Sequence, residues 1–133
     1  MNAESAPSLI SKFKRCLVSF LDELIDHFPT KKELIIFRII IQDQLDPKVI
    51  VNHCIKNILP YAHLIEQRDE SLFTEKDVLF SAFNATQTNH MKSIWTSTTL
   101  DANNRLVIWK WFDAFISLLN QINPETDVDL KKT

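Results

Sequence analysis

The sequence of 133 residues contains no glycine, although an average usage of roughly 7% would give about nine. This absence excludes sites that need glycine where the backbone is crowded or φ is positive. Such sites include the Walker-A phosphate loop, the GxGxxG dinucleotide fingerprint, the GxSxG nucleophile elbow and the EF-hand calcium loop. Tight Asn-Gly hairpins are also missing, which argues against an all-β fold.

The sequence also contains few cysteines, and its positive and negative charges are nearly balanced. Cys16 and Cys54 are too few for a disulfide framework and lack the paired spacing of a zinc site, so we expect free buried thiols. The formal net charge is -2, and neither half of the chain is basic enough to attract nucleic acid.

Long apolar runs are missing from the sequence. The most apolar stretch, 34–41, is interrupted by Arg38 and falls far short of the roughly 20 apolar residues that cross a membrane. Asp22 and Glu23 break the N-terminal apolar segment too early for a signal peptide. We therefore expect no membrane span and no secretion by that route.

Helical periodicity dominates the first part of the chain. Apolar residues recur every three or four positions over 8–28, which predicts an amphipathic helix that Pro29 ends. The T-x-x-E spacing of Thr30 and Glu33 predicts a capping box and a second helix that runs to about Leu45. Because this helix is apolar on nearly every side, we expect it to be central and buried, although its β-branched run is also typical of a buried strand.

The middle of the chain has a clear start signal. Asp46 followed by Pro47 predicts a third helix over 47–59. A short helical continuation or a kinked turn is expected over 61–65, just after a proline. The charged segment 66–70 is predicted to be an exposed connection and is a second candidate for partner contact.

Three further helices are predicted in the second half. A second capping pattern over 74–77 precedes a short helix that carries the apolar residues of 78–83, and polar residues then intervene. Another short helix is expected over 90–97. The last and longest runs over about 105–122, and Pro124 closes it.

Short connections and the lack of internal repeats predict an all-α fold, an antiparallel bundle of five to six helices. We expect a single helical domain over 1–133, with an ordered core over 8–123 and flexible tails over 1–7 and 124–133.

Residue sets that could carry chemistry are few. His53 and Cys54 are adjacent in a helix, so their side chains diverge by about 100° and cannot share one reacting centre. His63, Glu66 and Asp69 border the most charged segment and are expected to form a solvated face. We therefore predict no catalytic residue, no cofactor, no metal site and no enzymatic activity.

Aromatic residues make up 10% of the chain, and three rings lie within 109–112. Trp109 and Trp111 are about 160° apart on a helix, so one ring can enter the core while the other lies at a boundary. We predict Trp109, Lys110 and Trp111 as partner-binding residues, since aromatic anchors dominate interfaces. In the alternative interpretation, the helix of Trp95 covers Trp109.

Two segments carry a resemblance to known proteins. Residues 20–29 read FLDELIDHFP and residues 104–119 read NRLVIWKWFDAFISLL. The pairing of an FP helix end with a later IWK-aromatic helix resembles small all-helical proteins of nucleocytoplasmic large DNA viruses, over about Phe20 to Asn120. The resemblance implies a structural component, such as a minor capsid protein, and no catalytic residue. It implies a core or interface role for Phe28, Pro29, Ile108, Trp109, Trp111 and Phe112.

These observations favour a non-enzymatic structural or interaction protein that docks onto larger proteins through apolar and aromatic helix surfaces. The resemblance implies capsid or virion proteins as partners, in the virion or the cytoplasm of an infected cell. The alternative is a soluble regulatory adaptor that binds a host or viral protein. Base stacking on exposed rings would need a basic groove, which this composition does not provide.

Overall fold

All regular structure in the described part of the chain is helical. The computed structural model describes residues 6–75 and 90–122, and the prediction of an all-α fold is confirmed for them. Within these ranges no helix is both long enough and apolar enough to cross a membrane. The predicted helix over 78–83 lies outside the described residues, as do most residues of the two predicted tails.

The helical elements follow the order of the sequence. They are α1 (Ala6–His27), α2 (Lys32–Ile39), a π-helical segment (Ile40–Gln44), α3 (Pro47–Asn57), a 3-10 turn (Leu59–Tyr61), α4 (Ala62–Glu66), α5 (Ser71–Thr74), α6 (His90–Trp95) and α7 (Ala102–Ile122). The helices predicted over 8–28, 47–59, 90–97 and 105–122 are confirmed to within a few residues.

The chain divides into two compact units. Unit 1 comprises 1–52 and 117–133, and unit 2 comprises 53–116. The expectation of one domain over 1–133 stays a prediction, and each unit is described by itself below.

In unit 1, α1 and α2 pack against each other on either side of a short turn. The Arg38 guanidinium donates a hydrogen bond to the Asp22 carboxylate. Because the two residues lie at similar distances from the turn, the helices run antiparallel. The buried apolar side chains of unit 1 are Leu9, Phe13, Leu17, Val18, Phe20, Leu21, Leu24, Phe28, Leu34, Phe37, Ile41, Ile50, Val51 and Leu119.

The expectation that the second helix is buried on all sides is wrong. Ile35, Ile36 and Ile39 are 40%, 51% and 42% exposed. Only one face of the helix meets the rest of unit 1, because α2 lies beside α1 and is not surrounded. The buried side chains of this segment are Leu34, Phe37 and Ile41.

The helix α2 begins within two residues of the predicted start, but the predicted cap is wrong. Lys31 is the N-cap and makes no side-chain capping hydrogen bond, so Thr30 does not cap this helix. The chain turns instead through backbone hydrogen bonds from Lys31 N–H to Phe28 C=O and from Leu34 N–H to Lys31 C=O, each 3.1 Å.

Aspartates cap both α3 and α7, the first of them as expected from the sequence. Asp46 Oδ1 accepts a hydrogen bond of 2.8 Å from the Lys48 N–H. Asp101 Oδ1 accepts one of 2.8 Å from the Asn104 N–H, and Asn104 Oδ1 accepts one of 3.2 Å from the Asp101 N–H. This second pair is a reciprocal capping box in which asparagine replaces glutamate.

In unit 2, α5 packs against both α4 and α6. Thr74, predicted to cap a following helix, is the last residue of α5, and its hydroxyl donates to the Glu70 carbonyl at 3.2 Å. Residues 76 and 77 of that capping pattern lie outside the described residues. The buried apolar side chains of unit 2 are Cys54, Ile58, Ile65, Leu72, Phe73, Ile94, Trp95, Leu100, Ile108, Trp109, Phe112 and Phe115.

Both cysteines are free thiols, as expected from the sequence, but only Cys54 is buried as predicted. Cys16 on α1 is half-buried, and burial raises the pKa of its thiol. Cys54 on α3 is buried, and loss of solvation raises the pKa of its thiol to about 12. Cys54 therefore stays protonated at neutral pH and is a poor nucleophile.

The buried Cys54 thiol should make folding sensitive to alkaline pH. Above about pH 9 the unfolded chain loses the thiol proton while the folded chain keeps it, so stability falls as pH rises. We expect the free energy of unfolding to drop by about 1–2 kcal/mol more in the native chain than in Cys54→Ala between pH 8 and pH 10. Urea titrations at each pH measure this, and parallel profiles for the two proteins would contradict it.

Candidate interaction surface

An aromatic cluster forms the centre of unit 2. The Phe73 ring centroid lies 4.6 Å from that of Trp95, 4.7 Å from that of Trp109 and 5.1 Å from that of Phe112. Trp95 and Trp109 meet edge to face at 5.3 Å. All four side chains are buried, and distances of this kind are typical of favourable aromatic pairs. The cluster thus joins α5, α6 and α7.

Polar side chains complete the edges of this cluster. Arg105 lies over the Trp95 ring at 5.6 Å and donates hydrogen bonds of 3.0 and 3.3 Å to the Trp95 carbonyl. The Trp95 indole N–H donates to the Glu70 carboxylate. The polar end of this buried indole is therefore satisfied, as a buried Trp requires.

Arg68 holds the turn between α4 and α5 in an uncommon conformation. Its φ is 55°, which makes it the one residue of the described chain in the left-handed region. Hydrogen bonds from Arg68 N–H to Ile65 C=O and from Asp69 N–H to Leu64 C=O, at 3.1 and 2.9 Å, form a Schellman motif. This position is usually glycine, so the chain accepts a steric cost here.

The Arg68 side chain offsets part of that cost. Two hydrogen bonds of 2.7 Å join its guanidinium to the Asp113 carboxylate on α7, and this pairing raises the pKa of Arg68. The guanidinium also lies 5.6 Å from the Trp109 ring centroid and donates to the Ile65 carbonyl at 3.1 Å. Both partners of the ion pair are more than a third exposed, so the pair contributes about 1 kcal/mol at most.

The three residues predicted to bind a partner occupy different environments. Trp109 is 6% exposed and belongs to the aromatic cluster, so the alternative interpretation, in which Trp95 covers it, describes the structure. Lys110 is exposed. Trp111 is half-buried, with its ring 6.5 Å from that of Phe115. Partner binding by Lys110 and Trp111 stays a prediction.

Lys110 and Trp111 lie beside two apolar residues that were not predicted to bind a partner. Leu106 and Val107 are 46% and 42% exposed, and each lies one helical turn before Lys110 or Trp111. We call these four residues, Leu106, Val107, Lys110 and Trp111, the α7 patch. The spacing of four residues could have revealed it, but apolar residues on a helix are first assigned to the core.

The connection 66–70, the second predicted contact, is exposed as expected. Its side chains nevertheless face inward in part, because Arg68 and Glu70 bind the aromatic cluster. Asp69 accepts a hydrogen bond of 3.0 Å from the Ser71 N–H, and the Ser71 hydrogen bonds, with a smaller effect of His63, lower the pKa of Asp69. Asp69 therefore stabilises the start of α5, and partner contact by 66–70 stays a prediction.

The residues considered above as candidates for catalysis or metal binding do not form a common site. Cys54 is buried while its neighbour His53 is only partly buried, and His63, Glu66 and Asp69 are all exposed. Over 6–75 and 90–122, no group of three or more His, Cys, Asp or Glu side chains is arranged to hold a metal ion. Comparison with known proteins adds no assignment, since the chain matches no family, no curated protein and no solved structure.

The Arg68 turn can be tested by comparing glycine with alanine at that position. Both substitutions remove the side-chain contacts, but glycine also removes the left-handed steric cost, so we expect Arg68→Gly to be more stable than Arg68→Ala by about 1 kcal/mol. Urea unfolding measures the difference. Gln67, with φ of -83°, is the matched control, where glycine should be the less stable of the two. If glycine and alanine had the same order of stability at both positions, the Schellman assignment would be contradicted.

The two tryptophans of α7 should differ in their effect on stability. Trp109→Ala removes a ring from the buried cluster and should lower the free energy of unfolding by about 3–5 kcal/mol. Trp111→Ala removes a half-buried ring, so a loss of about 1–2 kcal/mol is expected. Thermal or urea unfolding of the two variants is the measurement, and equal losses would show that Trp109 is not the core residue.

Proposed function

We propose that this protein is a non-enzymatic interaction protein that docks onto a larger protein through the α7 patch. The observation that carries the proposal is the row of Leu106 and Val107, both more than 40% exposed, beside Lys110 and Trp111 on the solvent side of α7. Adjacent exposed apolar side chains that continue into an aromatic ring are typical of interfaces.

The α7 patch suits a partner with an apolar groove and an acidic rim. Leu106 and Val107 would each contribute about 1 kcal/mol on burial, since roughly half of each side chain is exposed. Lys110 lies among these apolar residues and would favour a carboxylate on the partner. Trp111 already packs near Phe115, so binding would fix few additional rotamers and lose little side-chain entropy.

We further propose that the partner is a capsid or other virion protein and that this chain is a minor capsid or virion component. This step rests on the resemblance of 20–29 and 104–119 to small helical proteins of large DNA viruses. Under this proposal the protein acts in the virion or in the cytoplasm of an infected cell. A soluble regulatory adaptor would use the same patch but would not be incorporated into a particle.

Quantitative mass spectrometry of the purified native particle tests both parts of the proposal. We expect the chain at a fixed ratio to the most abundant particle protein. A variant with Leu106→Glu and Val107→Gln should be lost from the particle at least tenfold. Glutamate at 106 lies one turn before Lys110, a pairing that favours the helix, so the variant should keep its helical content by circular dichroism.

Val49→Glu is the matched control, because Val49 is 49% exposed on α3, outside the patch. It should be incorporated like the native chain. Absence of the native chain from the particle would overturn the virion role and favour the adaptor. Equal incorporation of the double variant would overturn the role of the α7 patch.

A further inference from the structure

A second apolar surface lies on α2 in unit 1. Ile35, Ile36 and Ile39 occupy one side of this helix, spaced by three and four residues, and are 40%, 51% and 42% exposed. We call these three residues the α2 face. They point away from the side that carries Leu34 and Phe37, which are buried, so packing within unit 1 does not account for them.

Helix stability does not account for the α2 face either. Isoleucine is β-branched and forms helices less readily than the polar residues usual at exposed helical positions. An eight-residue helix with three such side chains in solvent loses both propensity and apolar burial. A contact that covers the face would recover that burial.

Opposite charges lie at the two ends of this face. Lys32 is the first residue of α2 and Asp43 lies in the π-helical segment that follows it, and both are exposed. In an α-helix, Lys32 falls on the same side as Ile35, Ile36 and Ile39. Asp43 follows Ile39 by four residues, about one helical turn, so it falls on the same side as Ile39.

These positions make the face complementary to itself. A twofold axis midway between Ile36 and Ile39 is also midway between Lys32 and Asp43. Two antiparallel copies of the helix would therefore set Ile36 of each against Ile39 of the other, and Lys32 of each against Asp43 of the other. A contact of this kind is isologous, as in most homodimers.

We infer that the α2 face is the interface of a homodimer in which two copies of α2 pair antiparallel through Ile36 and Ile39, with Lys32–Asp43 ion pairs at both ends. The inference does not depend on the proposed function, because it uses a different helix. Three isoleucines cover only part of the ~800 Å² per partner of a stable interface. The dimer is therefore concentration-dependent, with a dissociation constant on the order of 10–100 µM.

Sedimentation equilibrium of the full chain from about 1 µM to about 1 mM tests the association. The mass should rise from the monomer value of 15.5 kDa toward twice that value. Ile36→Glu should weaken association at least tenfold, since it places two carboxylates in the apolar centre. Val49→Glu, an equally exposed apolar site outside the face, should associate like the native chain.

Charge exchange tests the antiparallel pairing itself. Lys32→Glu alone and Asp43→Lys alone should each weaken association about threefold to tenfold, because each places like charges together at both ends. The variant with both substitutions restores opposite charges and should return to the native dissociation constant. Added salt should reduce these differences, and circular dichroism should show unchanged helical content in every variant.

Three results would overturn the inference. A monomer at every concentration would mean that the face is covered within the chain or by a different protein. Native association by Ile36→Glu would place the dimer contact on another surface. Failure of the double charge variant to recover, with both single variants weakened, would exclude the antiparallel pairing.

Discussion

The Arg68 side chain ties together three parts of unit 2. It hydrogen-bonds the last turn of α4, lies over Trp109 in the aromatic cluster and binds Asp113 on α7. In a chain without glycine, the turn after α4 has to place a side chain at positive φ, which costs about 1–2 kcal/mol. Arginine is long enough to reach contacts that offset part of this cost. By fixing the start of α5, this turn also positions Glu70 to bind Trp95 and places Phe73 in the aromatic cluster.

Local signals in the sequence predicted those parts of the fold that depend on neighbours in the chain. Asp46 caps α3 as expected, because a capping side chain bonds an N–H only two or three residues away. Pro29 follows the end of α1 for an equally local reason. The Arg68–Asp113 pair joins residues 45 apart, and no spacing in the sequence indicates such a contact.

Periodicity identified the sides of a helix but not their surroundings. It separated Trp109 from Trp111 correctly, yet Phe73 and Trp95, which come from other helices, decide that Trp109 is the buried ring. The same limit explains α2, where apolar residues on every side suggested a buried helix. Because only one side of α2 meets unit 1, Ile35, Ile36 and Ile39 remain exposed. Leu106 and Val107 were overlooked for the same reason.

The α7 patch and the α2 face are both apolar and exposed, but they differ in their neighbouring charges. This difference determines which kind of partner each surface favours. The α7 patch has Lys110 among its apolar residues, so pairing two copies of the patch would bring like charges together in a partly desolvated contact. A different protein with an acidic rim avoids that repulsion. The α2 face has Lys32 at one end and Asp43 at the other, which a twofold axis brings into register. The patch therefore favours a heterologous partner, whereas the face favours a second copy of the same chain.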